Sequence, residues 1–176
     1  MSAMKPLCID LCCGSGGWAA GFVAQGYDVI GFDVVRYPEF PGRLILQDVR
    51  TLDGRRFSRA AVIVASPPCE EFSRHGMPWT KRRKPPAPDL SVVEACWRIA
   101  REAGVPIVLE NVRAAQYWLG PARAHVGPFY LWGDVPCLLP SITPHRKEHL
   151  SSARRTDRAR IPFELAAYIA QVYRAT

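Results

Sequence analysis

Residues 6–26 read PLCIDLCCGSGGWAAGFVAQG. The opening PLCIDLC is apolar around one acid, the pattern of a buried strand. GGWAAGFVAQG then enters a helix through glycines and stops at Gly26. A strand that feeds a helix through a glycine turn opens a βαβ unit, and the rest of the first half repeats that alternation. YDVIGFDVV (27–35), RLILQDV (43–49), AAVIVAS (60–66) and VPIVLENV (105–112) read as four further strands, and DLSVVEACWRIAREAG (89–104) as a helix with a glycine stop. These segments predict an α/β protein with a doubly wound, mostly parallel sheet covered on both faces.

The second half is less regular. GPFYLWGD (127–134) predicts one more strand, residues 133–160 an irregular basic loop, and IPFELAAYIAQVYRA a terminal helix from about Pro162. There is no internal repeat, and 176 residues suffice for one domain spanning 1–176. With 48% hydrophobic and 22% charged residues the composition is that of a globular chain, without an uninterrupted apolar run of membrane-spanning length. The first residues, MSAMKPLCIDLCC, lack a secretory signal's apolar core, so a cytoplasmic protein is expected. The six cysteines form no C-x-x-C pair and no ligand cluster, which argues against a zinc site or a disulfide framework. Cys8, Cys96 and Cys137 read as small buried hydrophobes. A net charge of +7 and a pI near 9.3 point to a polyanionic partner, nucleic acid first, with the charge concentrated in KRRK (81–84) and in residues 145–160.

Within the opening unit, Gly14, Gly16 and Ala19 fit G-x-G-x-x-A, and Asp33 closes the next strand 19 residues after Gly14. Such glycines let the backbone approach a ligand while the acid binds ribose hydroxyls. NAD and S-adenosylmethionine both satisfy this pattern, and a tight turn with no ligand is the bland alternative.

The second informative stretch is VASPPCEEFS (64–73). Cys69 follows two prolines at the carboxyl end of the fourth strand, where open parallel sheets place ligands. The prolines fix φ and hold the thiol on a stiff turn. Arg74 and the KRRK cluster are near enough in sequence to favour the thiolate; otherwise Cys69 is an inert strand-end residue. Glu110 ends the fifth strand in VLENV, beside Cys69 at the same edge. An acid after four apolar residues either caps or anchors a loop, or has a raised pKa. A thiolate and a protonated carboxyl in one cleft suit addition to an electron-poor ring.

DLCCGSGG, SPPCEEFS and LENV, in this order, resemble the cofactor, nucleophile and ring-acid motifs of the cytosine-C5 DNA methyltransferases and span most of residues 5–112. The resemblance implies a Rossmann-like S-adenosylmethionine-dependent methyltransferase fold with one antiparallel strand, in truncated form. It also implies that Cys69 adds to carbon 6 of a cytosine flipped from DNA while Glu110 protonates ring N3. By matching position it assigns Asp10, Gly14, Gly16, Gly17, Asp33, Asp48 and Pro67 to the S-adenosylmethionine site. Asn111 orients the site; Ser73, Arg74, Lys81, Arg82, Arg83, Lys84 and Arg123 are assigned to the substrate, with Gln116 and Arg123 standing for the family's later Gln/Arg motif. No metal is implied.

The chain also departs from the family pattern. About two dozen irregular residues stand where a long target-recognition region is expected, and the asparagine-containing last motif is missing. FYLWGDVP and RARIPFELA resemble small phage or prophage members, which implies a bacterial or phage-infected cell, and the missing recognition region implies either a short, relaxed target context or an accessory specificity protein. Competing readings are the same chemistry on RNA or a nucleotide, a non-catalytic cofactor- or DNA-binding descendant, and an NAD oxidoreductase. The last leaves Cys69 and Glu110 unexplained.

Overall fold

The computed structural model describes residues 4–75, 86–139 and 160–174. Its centre is a seven-stranded sheet of β1 (Leu7–Leu11), β2 (Asp28–Asp33), β3 (Arg43–Leu46), β4 (Val62–Ala65), β5 (Ile107–Asn111), β6 (Ala124–Val126) and β7 (Phe129–Gly133). The order is β3-β2-β1-β4-β5-β7-β6. The strands β1 to β5 are parallel, and β7 runs antiparallel to both β5 and β6. The strand order reverses between β1 and β4, so their carboxyl ends flank the crevice where such sheets bind ligands.

Both faces of the central strands are buried, which is why they read as continuous apolar runs. On one face Ile9, Leu11, Ile63, Ala65, Ile107 and Leu109 meet α2 (Glu70–His75) and α3 (Ser91–Ala103). On the other, Cys8, Val62, Val64 and Val108 meet α1 (Gly17–Ala24) and α5 (Phe163–Arg174). The short α4 (Gln116–Leu119) follows β5. Helix α3 is amphipathic: Val93, Cys96, Ile99 and Ala103 face the sheet, and Gly104, at φ 68°, ends it.

Helix α1 buries Trp18, Ala19 and Phe22 between the sheet and α5 and leaves Val23 exposed. Gly17 and Gly21 make that layering possible. A Cβ on Gly21 would lie 2.5 Å from both Ala166 Cβ and the Ala167 nitrogen, and one on Gly17 would lie 2.7 Å from the Ile161 nitrogen.

The mostly parallel sheet and the terminal helix agree with the sequence reading. Two elements do not appear in it. FYLWG is not a lone strand: it pairs with β6, whose three residues are too few to show a period. Helix α2 occupies the six largely polar residues straight after Cys69, where a loop was expected. Cys8 and Cys96 are buried as anticipated, but Cys137, beyond β7, is exposed. The Lys81–Lys84 cluster and most of the basic 133–160 segment lie outside the described residues.

Candidate active site

The loop between β1 and α1 is built by backbone hydrogen bonds and one carboxylate. Cys12, Gly14 and Gly16 have φ of 55°, 50° and 86°. Gly16 N–H donates to Cys13 O at 3.0 Å, so the loop doubles back before α1 begins. Asp33, at the end of β2, accepts from the Gly14 N–H through Oδ2 and from the Val35 N–H through Oδ1, each at 2.9 Å. The expected ribose acid therefore also fixes the glycine loop, and its oxygens retain acceptor capacity. A Cβ on Gly14 would meet nothing within 4 Å, so the loop is open on that side. Gly16 abuts Phe40 and Pro41, and Gly17 faces the α5 segment, so both serve packing as well as the turn.

Asp10, on β1, is fully buried, and neither carboxylate oxygen has a hydrogen-bond partner among the described residues. Burial pushes it well above the usual carboxylate range; the Ala19 backbone N–H pulls the other way, and the Asp33 charge adds to the rise. A buried acid with no close hydrogen bond, and only the Ala19 N–H acting on it, fits a ligand that brings donors or positive charge. Asp48 follows β3, and its side chain is tied to Arg50: Oδ1 accepts the Arg50 N–H at 2.9 Å, and Oδ2 pairs with the guanidinium at 2.6 Å. That partner holds its pKa low.

Cys69 lies between β4 and α2 and accepts the first helical bond, from Ser73 N–H at 2.9 Å. The Ser73 hydroxyl also donates to the Cys69 carbonyl at 2.9 Å. The turn is locked from β5: Asn111 Nδ2 donates to the carbonyl of buried Pro67 at 3.0 Å, while Asn111 Oδ1 accepts from Val112 N–H at 2.9 Å. Burial and then the Glu110 charge hold the thiol above its ordinary range, against a smaller pull from its own backbone N–H and from Ser73. Among the described residues no positive charge lowers the thiol's pKa, and the Lys81–Lys84 part of the expectation lies outside them. Arg74 is exposed on α2 and is not among the groups that act on the thiol.

Glu110 is enclosed on β5, and burial pushes its carboxyl up to about 8. A side-chain hydrogen bond with Ser66 moderates the rise. Ser66 Oγ in turn accepts from Trp18 Nε1 at 3.0 Å. An indole N–H only donates, so the Ser66 proton is free to point at Glu110. Trp18 on α1, Ser66 after β4 and Glu110 on β5 therefore form one line of donors that ends on the acid. The sequence reading passed over Trp18 and Ser66; the one available signal was a serine between an apolar strand and two prolines.

Arg123 does not join Cys69. Its Nε donates to Val135 O at 3.3 Å, past the amino end of β5. Gln116 braces the approach to β6, accepting from Ala122 N–H at 3.0 Å. No cluster of potential metal ligands exists among the described residues.

Residues 7–116 match the model of the C-5 cytosine-specific DNA methylase family. The chain belongs to that family. The family's cofactor is S-adenosylmethionine, and the residues present fit it: Asp10 is a buried acid on β1, the Gly14 turn is open on one side, and Asp33 at the end of β2 keeps acceptor capacity. Among solved structures, a candidate DNA modification methyltransferase encoded within a prophage (E. coli) is 20% identical, with 63% of this chain and 33% of that chain covered and a TM-score of 0.45. S. pombe Dnmt2 methyltransferase is 17% identical, with 64% and 36% covered and a TM-score of 0.44. Entamoeba histolytica methyltransferase EhMeth is 15% identical, with 65% and 40% covered and a TM-score of 0.44. The matched part of this chain thus spans 33–40% of the length of these structures. No curated protein matches the chain.

Proposed function

We propose that this protein methylates carbon 5 of cytosine in DNA through a covalent adduct on Cys69. The observation that carries the reading is the pairing of a stiffly mounted thiol with an enclosed carboxyl that is protonated at neutral pH. Cys69 attacks carbon 6 of the ring as the thiolate, after its proton leaves to solvent. Glu110 donates its proton to ring N3 as that bond forms, which leaves an enamine nucleophilic at carbon 5. The cofactor supplies the electrophilic methyl group. Loss of the carbon-5 proton then expels Cys69, and the N3 proton returns to Glu110. The cytosine reaches these groups by leaving the base stack. Asn111 keeps the Pro67–Cys69 turn beside β5, and Ser66 holds the Glu110 carboxyl in place.

Asp10, Gly14 and Asp33 are the residues we assign to cofactor binding, with Gly16 and Gly17 shaping the turn that presents them. Asp48, Ser73 and Arg74 stand at the same carboxyl edge and are assigned to its rim. Incubation with methyl-labelled S-adenosylmethionine and DNA, RNA or dCMP, followed by nucleoside analysis, tests the proposal. The expected product is 5-methylcytosine in DNA, and Cys69→Ala is expected to make none while still binding the cofactor. DNA carrying 5-fluorocytosine is expected to trap the wild type covalently, since fluorine cannot leave as a proton does. Label in RNA or dCMP alone, or turnover by Cys69→Ala, overturns the reading.

A further inference from the structure

The carboxyl edge carries a group of rings that the proposed chemistry does not use. Helix α2 starts at Cys69 and ends at His75, and it packs against the turn Arg113–Ala115 that follows β5. From that turn α4 projects Tyr117 and Trp118. The His75 and Trp118 rings meet edge to face at 5.3 Å and 63°, and Trp118 and Tyr117 do so at 5.0 Å and 77°. Trp118 is half-buried against the α3-side core, so the middle ring is fixed from below. Tyr117 is 84% exposed, the most exposed aromatic ring among the described residues, and the exposed Arg113 stands one turn before it. A ring held in place by a buried neighbour, left open to solvent and flanked by positive charge has the makings of a stacking surface for a nucleobase.

Its position bounds which base. The six residues from Cys69 to His75 rise about 9 Å along a helix. Ring-to-ring separations of 5.3 and 5.0 Å then lead from His75 through Trp118 to Tyr117, so at about 3.4 Å per nucleotide along one strand Tyr117 stands roughly three to six steps from a base held at Cys69. Resting on the reading above, we infer that Tyr117, backed by Trp118 and His75, stacks an unpaired base about three to six nucleotides from the target cytosine. The preferred substrate is then a strand that is single or locally opened beside its target. A fully paired flank keeps its bases stacked on one another and offers none to Tyr117.

The test is a cycle between protein and oligonucleotide. Binding of the full chain to single-stranded oligonucleotides with one 5-fluorocytosine is measured by fluorescence anisotropy, with abasic sites placed singly at each of several flanking positions. Tyr117→Ala is expected to weaken binding roughly 5- to 150-fold, the range of one base–aromatic stack, and Tyr117→Phe to restore most of it. An abasic site at one flanking position is expected to weaken the wild type by a similar factor and Tyr117→Ala hardly at all. Equal abasic penalties in both proteins, or equal affinity of Tyr117→Ala and wild type, overturn the inference. So does tighter binding to the fully paired duplex than to the single strand. The anisotropy readout does not depend on catalysis: covalent trapping of the fluorocytosine reports on the proposed chemistry separately, and its failure leaves the stacking cycle readable.

Discussion

Cys69 and Glu110 form a pair of which only the acid is in its required state at neutral pH. The proposed reaction needs a thiolate and a protonated acid, yet the thiol lies above its ordinary range and Glu110 near 8. The active form therefore carries one proton across the pair, and activity peaks between the two macroscopic pKa values. The acidic limb of kcat/KM against pH reports the lower value, that of Glu110. Ser66→Ala removes a donor that favours the Glu110 carboxylate, so that limb is expected to move to higher pH. An unmoved limb in a folded variant means that Ser66 does not act on the acid. Glu110→Gln keeps the shape but cannot deliver a proton, and the expected loss in kcat is about 10²–10⁴-fold. The same substitution has a stability signature. The folded pKa is raised from 4.5 to about 8, so the folded state holds the extra proton between those values. The stability this provides is complete below the unfolded pKa and is lost as pH rises through the folded one. Tm of Glu110→Gln relative to wild type is therefore expected to climb from pH 5 to pH 8; a constant difference would show that Glu110 titrates normally.

Elements decide where those residues meet. Helix α5 closes the α1 face only because Gly21 lets the Ala166–Ala167 backbone approach. Gly21→Ala gains up to about 1 kcal/mol in helix propensity. It also forces the new Cβ to 2.5 Å from backbone that cannot rotate away. The expected net effect is a loss of about 1–3 kcal/mol, the usual cost of overpacking, read as a lower urea midpoint with an unchanged m-value. The elements legible in the sequence were those with a period or a stop. The central strands β1, β2, β4 and β5 showed as apolar runs, and α3 showed its stripe and its glycine. Cys69, Glu110 and Asp33 were legible because each ends such a segment, and strand ends in a parallel sheet share one edge. Helix α2 and β6 were not, being six and three residues long with little apolar patterning. The Trp18–Ser66–Glu110 line joins residues 48 and 44 positions apart, and no local pattern marks it. Arg123 shows the converse: its residue type suited a substrate contact, but the hairpin turns its guanidinium to the opposite end of the sheet.

For the whole molecule, charge outweighs recognition surface. The chain carries +7, and the described residues supply one sheet with its flanking helices, with no second body of the kind that reads base edges. Phosphate contacts give affinity without sequence information, whereas specificity needs side chains set against bases. Binding to DNA is therefore expected to be modest and strongly salt-dependent, with a short, relaxed target context or reliance on a partner protein for a longer one. Lys81, Arg82, Arg83 and Lys84 lie in sequence between His75 and Pro86, and those two ends are held together by a His75 Nε2 to Pro86 O contact of 3.1 Å beside α2. Replacing the four with neutral residues is expected to lower DNA affinity and to flatten its salt dependence, by about 0.7–0.9 in the log–log slope for each phosphate the variant no longer neutralises. Cofactor affinity should not change, because the glycine loop and Asp33 lie beyond β1 and β2 while these residues follow β4. Salt titrations of anisotropy and cofactor calorimetry on the same variant check both halves. An unchanged slope would move the phosphate-binding charge elsewhere on the basic surface. Bisulfite sequencing of DNA treated with the purified protein checks the specificity: methylation confined to one long, strictly defined site with no partner present would show that this compact chain reads sequence by itself.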